Sequence, residues 1–263
     1  MVEIRVLIPE LFEKVGLIVT AGLLGVLLPP LRNRLLGLGR PRDSWVAMGF
    51  GLGLSLWGAT MGFNWLGHTL NLRAVGVMIA AILGGPRTGA VVGLLAGGFY
   101  VWRVVPESFP WSILASLVDG LLAGWLVERG ERHFVGWRAV GTAAGIQVAS
   151  LSIVALGMLS ELGTPAMLTA LPSLGAELVG VSIGVALFVS TARVVLAREA
   201  NAVALVEARA ATDALSLQAL RSRLEPHFLF NALNTLRASI RTNPDRARAL
   251  VSDLADLYRY LLH

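Results

Sequence analysis

The sequence contains no cysteine, which excludes disulfides, thiolate metal sites and cysteine nucleophiles, and leaves the redox compartment unread. Charge is scarce as well: Asp, Glu, Lys and Arg together make up 15% of the 263 residues. A chain so poor in charge cannot clothe itself in the polar surface of a soluble domain. No P-loop is present, and no glycine-rich strand-to-helix turn lies outside the apolar runs, so nothing here would cradle the phosphates of a nucleotide. No metal site is expected. The first apolar run follows Glu10, Glu13 and Lys14 and closes on Pro29-Pro30 rather than a small-residue cleavage site, so it is expected to be a retained span and not a signal peptide.

What the chain has is apolar length. With 55% hydrophobic residues and a mean hydropathy of +0.69, it falls in the all-α integral membrane class. Apolar runs lie at about Val15–Leu31, Trp45–Phe63, Ala74–Gly84, Thr88–Val105, Trp111–Val127, Ala139–Leu159 and Pro172–Leu196. This predicts a polytopic bundle of about six to seven membrane segments over residues 1–197. One run is short: as a helix, Ala74–Gly84 would extend only about 16 Å, against a hydrocarbon core of about 30 Å. It is expected to borrow from its flanks, tilt, or enter and leave on one side.

The net charge of +5 could suggest nucleic acid, but almost all basic residues are Arg in loops or along the polar C-terminal helix, and topology explains them better. No direct nucleic-acid partner is expected. Arg32, Arg34, Arg40 and Arg42 share one short loop, and Arg129, Arg132 and Arg138 another. If both loops are cytoplasmic, an even number of crossings separates them. Asn71–Val105 must then make two passes or a re-entrant hairpin around Gly84-Gly85-Pro86. The N-terminus is expected outside and the C-terminus in the cytoplasm.

After Leu196 the composition turns to Ala, Glu, Arg and Leu. Val203, Val206, Ala210, Leu217, Leu220 and Leu224 recur at three-and-four spacing, a heptad seam with a gap at Asp213. This predicts a parallel two-stranded coiled coil over 198–223, with a single amphipathic helix packed on another domain as the alternative. Residues 224–263 read as a helical hairpin. Pro226 is expected to kink the chain and shift the apolar stripe to Leu229, Leu233, Leu236 and Ile240, turning the His227 face outward. A turn at Arg241–Asp245 places Asn243 as N-cap and Pro244 at the first position of a second helix. Two such hairpins would make a dimeric four-helix bundle.

The stretch Pro226-His227-Phe228-Leu229-Phe230-Asn231, with Leu233 and Asn234, resembles the phosphoacceptor box of LytS/YpdA-type sensor histidine kinases. It departs at Arg223, where the family usually carries Gln. A neutral imidazole is a good nucleophile near neutral pH, and the phosphoramidate it forms is labile enough to pass its phosphoryl group to an aspartate. The resemblance implies that His227 is the phosphoacceptor, with Asn231 one turn on as an orienting group. Many other histidine kinases place a carboxylate directly after the histidine as general base; here that position is Phe228, and Glu225 gets no firm role. The resemblance further implies a homodimer, a response-regulator partner of the LytTR type, residence in the bacterial plasma membrane, and Mg-ATP as donor. The family's ATP-binding domain would begin shortly after His263, and a truncated sequence is expected.

Asn71-Leu72-Arg73 with Gly76, Gly84-Gly85-Pro86, Gly89, Gly93 and Gly97 resembles the multi-span receptor domain that accompanies this kinase type. Such domains are thought to sense small extracellular molecules, including carboxylates, or the state of the membrane and wall. Arg73, at a membrane boundary, either snorkels to headgroups or points inward at an anion or acid. Where the family often has a second Arg, this chain has Tyr100, with Arg103 one turn later, and Glu177 replaces a neutral polar residue. Arg73, Tyr100, Arg103 and Glu177 are the candidate ligand contacts, for a small anionic or zwitterionic ligand. Glu177 could equally neutralise Arg73 or Arg103 internally. Asp119 and Gln147 also lie in apolar runs and would need partners if buried; each is expected to make a structural interhelical hydrogen bond rather than a ligand contact. The competing reading is a transporter or substrate-binding membrane component with a cytoplasmic hairpin, which leaves Pro226–Asn234 unexplained.

Overall fold

The structure, a computed structural model, describes residues 2–104, 110–223 and 226–262, and the chain divides into two units, Met1–Ala197 and Arg198–His263. The first contains helices α1 (Val2–Val26), α2 (Pro29–Leu35), α3 (Asp43–Thr60), α4 (Arg73–Gly84), α5 (Pro86–Arg103) and α6 (Trp111–Arg129). Helix α7 (Trp137–Arg223) is broken at Gly163, where φ is 82° and ψ is 178°. Positive φ is glycine's territory, and Pro165 follows two residues later. Segments 137–162 and 164–223 are therefore separate helical pieces.

The runs at Ala74–Gly84, Trp111–Val127, Ala139–Leu159 and Pro172–Leu196 each sit in one helical piece. Val15–Leu31 instead crosses the break between α1 and α2, and Trp45–Phe63 runs past the end of α3. Trp111–Arg129 and Trp137–Ala219 are long and apolar enough to cross a membrane, and Arg5–Val26 with Pro29–Leu35, bent by 95°, qualifies as a pair. The chain is an all-α membrane protein, apart from one small antiparallel hairpin that the sequence pattern did not show. Its strands are β1 (Phe63–Trp65) and β2 (His68–Leu70), joined by Leu66 and Gly67. Both turn residues have positive φ, 53° and 80°, as a type I′ turn requires.

Close backbone approaches fix the register of the bundle. Gly58 lies against Leu72 and Arg73, and Gly51 against Ala80, so α3 and α4 run antiparallel. Gly89 lies on Gly120, Gly93 on Ser116 and Gly97 on Ile113, which makes α5 and α6 antiparallel too. A methyl group at Gly97 would stand 2.8 Å from the Ile113 Cα, so this crossing needs glycine for contact, as small-residue membrane interfaces do. Segment 164–197 runs parallel to α1 and α4: Gly180 meets Leu11 and Leu72, and Gly184 meets Val15 and Val75.

Two antiparallel helices, α4 and α5, meet at Gly85, whose φ is 84°. The turn lies near Glu128 and Gly124, at the end of the bundle that carries the loop after Arg129. Val105 itself lies outside the described residues. Helix α4 is only 12 residues long, yet it needs no lipid-matching length. Arg73 through Ala81 are all buried, packed by α3, α5 and α6 and by Phe188 of segment 164–197 within one core that includes Ile18, Met78 and Val185. Helical backbone wrapped by protein satisfies itself at any depth.

In the second unit, residues 198–223 are helical, and the seam residues Val203, Val206 and Leu217 are exposed in the single chain. Helices α8 (Pro226–Thr242) and α9 (Pro244–Leu262) form a hairpin. Asn243 caps α9, its Oδ1 accepting from the Arg246 amide at 3.1 Å. Leu229 and Leu236 are half-buried, whereas Leu233 and Ile240 are exposed. Their four-three-four spacing keeps all four on one face of α8, and Leu236 and Ile240 lie beside Ala247 and Val251 of α9. Leu224 and Glu225, where the stripe was expected to slip, lie outside the described residues.

Candidate functional site

The acceptor box occupies the first turns of α8. His227 is the second residue of that helix, and its side chain lies outside the described side chains. Asn231 follows one turn later, exposed, and its carbonyl accepts from Thr235 Oγ1 at 2.9 Å. The backbone here is regular helix, which sets His227 and Asn231 four residues apart on one face.

The second site is a cavity in the first unit, at the opposite end of the bundle from the Gly85 turn. Arg73 opens α4 directly below the β-hairpin and is only 5% exposed. Its Nε donates to Ser116 Oγ at 2.9 Å and its Nη1 to Asn71 Oδ1 at 2.7 Å. That same oxygen accepts from the Arg73 amide at 3.3 Å, so Asn71 ties the side chain to its own helix start. The guanidinium lies over the Tyr100 ring, 4.2 Å from its centroid. All these partners are neutral, and among the described residues no acceptor is bonded to Nη2.

Facing this cation are polar groups from three helices. Asp119 of α6, Gln147 and Ser150 of 137–162, and Ser173 and Glu177 of 164–223 are all buried and line one cavity of about 370 Å³ with Arg73 and Tyr100. Small-molecule sites run from about 300 to 1,000 Å³. Gln147 Nε2 reaches Asp119 Oδ1 at 3.5 Å, the far limit for a hydrogen bond, and Gln147 Oε1 has no partner. Toward the Gly163 break, Trp111 Nε1 donates to Glu161 at 2.7 Å.

The four candidate contacts do not all meet. Arg73, Tyr100 and Glu177 line the cavity, and Arg103 does not. Tyr100 is turned into the bundle, while Arg103 is the final residue of α5, past the level of the cavity, and stays exposed. An exposed guanidinium avoids the desolvation cost that Arg73 bears. Glu177 and Arg73 line the same cavity and act on each other electrostatically, although no ion pair joins them and no hydrogen bond holds the Glu177 carboxyl group among the described residues. Sequence reasoning missed Ser112, Ser116, Ser150 and Ser173. Their signal was present as polar stripes on apolar helices, with Ser112, Ser116 and Asp119 at i, i+4 and i+7, and Ser173 and Glu177 at i and i+4.

Comparison with known proteins assigns both regions. The family described as 5TMR of 5TMR-LYT matches residues 31–195, and the family described as Histidine kinase matches residues 215–263. Sensor histidine kinase YpdA of Escherichia coli is 57% identical over 44 residues, covering 17% of this chain and 8% of the relative. Sensor protein LytS of Bacillus cereus is 44% identical over 43 residues, 16% of this chain and 7% of the relative. The matched stretches therefore span less than a tenth of the length of these curated relatives. No solved structure matches.

Proposed function

This chain belongs to the 5TMR-LYT family, and from that membership we propose that it functions as a membrane sensor histidine kinase of a two-component system. The observation that carries the proposal is His227, standing on a two-helix hairpin inside the stretch that matches the histidine-kinase family. Its neutral imidazole attacks the γ-phosphorus of ATP, forming an N–P bond as the P–O bond to ADP breaks, and loses a proton to solvent or a nearby base. An aspartate carboxylate of a response regulator, of the LytTR type, then takes the phosphoryl group. Mg-ATP would be bound by an ATP-binding domain, and these residues would supply the acceptor. Asn231 would orient the imidazole or the incoming phosphate.

The partner in assembly is a second copy. Exposed Phe230, Leu233 and Ile240 on α8, and Val203, Val206 and Leu217 along 198–223, give apolar faces of the kind that pair in four-helix bundles and coiled coils. The Arg-rich loops support an N-terminus outside and a cytoplasmic C-terminus. Ligand in the Arg73 cavity would bias segment 164–223, which carries Glu177, and so the exposure of His227. This is coupling through a two-state helix pair.

The test uses the chain in lipid with radiolabelled ATP, magnesium and the ATP-binding domain of a histidine kinase. Label should appear on wild type, be absent from His227→Ala, and leave when a response-regulator receiver domain is added. Equal labelling of wild type and His227→Ala, or none on either, would overturn the reading.

A further inference from the structure

The cavity holds buried ionisable groups of both kinds, with no ion pair between them among the described residues. Arg73 has only neutral partners. Opposite it, the Glu177 carboxyl group has no bonded partner among the described residues, and Asp119 has a long contact from Gln147 with Ser150 also in bonding reach. Gln147 is 1% exposed, and its Oε1 is an acceptor with no donor. Burying polar and ionisable groups without partners is unfavourable, and one ligand with two poles relieves it at both ends of the cavity.

We propose that this cavity takes a small zwitterion with an aliphatic body, of the aliphatic α-amino-acid class. Its carboxylate lies on Arg73 and its ammonium among Asp119, Glu177 and Gln147 Oε1. The proposal rests on the sensing role above and names the ligand's chemistry. An ammonium has three N–H donors and no acceptor, and three acceptors await it. The free Nη2 of Arg73 offers the carboxylate a charge-assisted bond. Leu151, Val154, Met158 and Leu174 form an apolar wall along the same cavity for the body.

Single-pole ligands fit worse. The lining has Arg73 as its arginine against the carboxylates of Asp119, Glu161 and Glu177, so a plain monocarboxylate would add negative charge and leave Asp119 and Glu177 unmatched. A plain amine would leave Arg73 bare. Tyr100 strengthens the distinction: it gives Arg73 a ring face and adds no second positive charge for an anion.

Isothermal titration of the chain in lipid nanodiscs with L-leucine, isocaproate and isoamylamine tests this, since the three share a branched body and differ in their poles. Leucine should bind tighter than either by about thirtyfold or more, the scale set by leaving one member of a buried charged pair unmatched. In Glu177→Gln, and separately in Asp119→Asn, leucine should weaken and its advantage over isocaproate should shrink. Isocaproate binding as tightly as leucine would overturn the proposal in favour of a monocarboxylate pocket, and no binding by any of the three would overturn it outright. The wild-type series does not depend on the variants folding. His227 labelling is read separately, so leucine binding without labelling sinks the kinase reading alone, and labelling without leucine binding sinks the ligand class alone.

Discussion

The Arg73 guanidinium lies 4.2 Å from the centroid of the Tyr100 ring, so a buried cation in the membrane domain is held by an aromatic face in place of a carboxylate. A ring quadrupole attracts a desolvated cation by about 2 kcal/mol without consuming its charge, which stays available to a ligand.

The ring, and not the hydroxyl, should therefore matter most. Tyr100→Phe is expected to keep the thermal stability of the detergent-purified chain close to wild type, and Tyr100→Leu to lower it by about 2 kcal/mol. If Phe is as damaging as Leu, the phenol oxygen beside Asn71 is the group that counts.

The α5–α6 crossing should tolerate no side chain. A Cβ at Gly93 would run into the Ser116 carbonyl, whereas at Gly98 it would meet nothing within 4 Å. Gly93→Leu is expected to abolish the monodisperse folded species in size-exclusion chromatography, and Gly98→Leu to leave it intact. A folded Gly93→Leu would show that the two helices can separate without loss.

Asn243→Ala removes the α9 N-cap bond to the Arg246 amide. A lost cap costs about 1 kcal/mol, so amide exchange across Asp245–Ala247 should quicken by about fivefold, with exchange in α1–α6 unchanged. No change would mean that Pro244 alone sets the helix start.

Asn231→Ala should slow phosphoryl labelling of His227 by about tenfold, equivalent to ~1.4 kcal/mol of barrier, without abolishing it. His227→Asn should abolish it. A rate unaffected by Asn231→Ala would remove that residue from the acceptor's machinery.

The apolar runs carried the fold, because each membrane helix must bury its own backbone and so leaves an uninterrupted stretch in the sequence. Even the anomaly was readable: Ala74–Gly84 is too short to span, and it became the most enclosed helix of the bundle. The β-hairpin was not readable, since three-residue strands flanking Leu66-Gly67 are too brief for alternation to register. At the cavity, Arg73 and Glu177 stood out as charges in apolar surroundings. The serines did not, because a hydroxyl can satisfy itself on its own helix, as Ser150 does on the Gln147 carbonyl at 3.2 Å. Arg103 failed as a contact because spacing gives the face of a residue but not its height relative to the helix end.

Helix α4 begins with Arg73 and is wrapped by other helices along most of its length. A helix that touches no acyl chains does not feel the thickness, tension or composition of the bilayer directly. The outer helices can tilt to follow those changes, while Arg73 stays mounted on an internal post. The chemistry of the Arg73 cavity is thereby insulated from the lipid around it, and under the proposed sensing role its calibration toward a ligand would carry over between cells whose membranes differ.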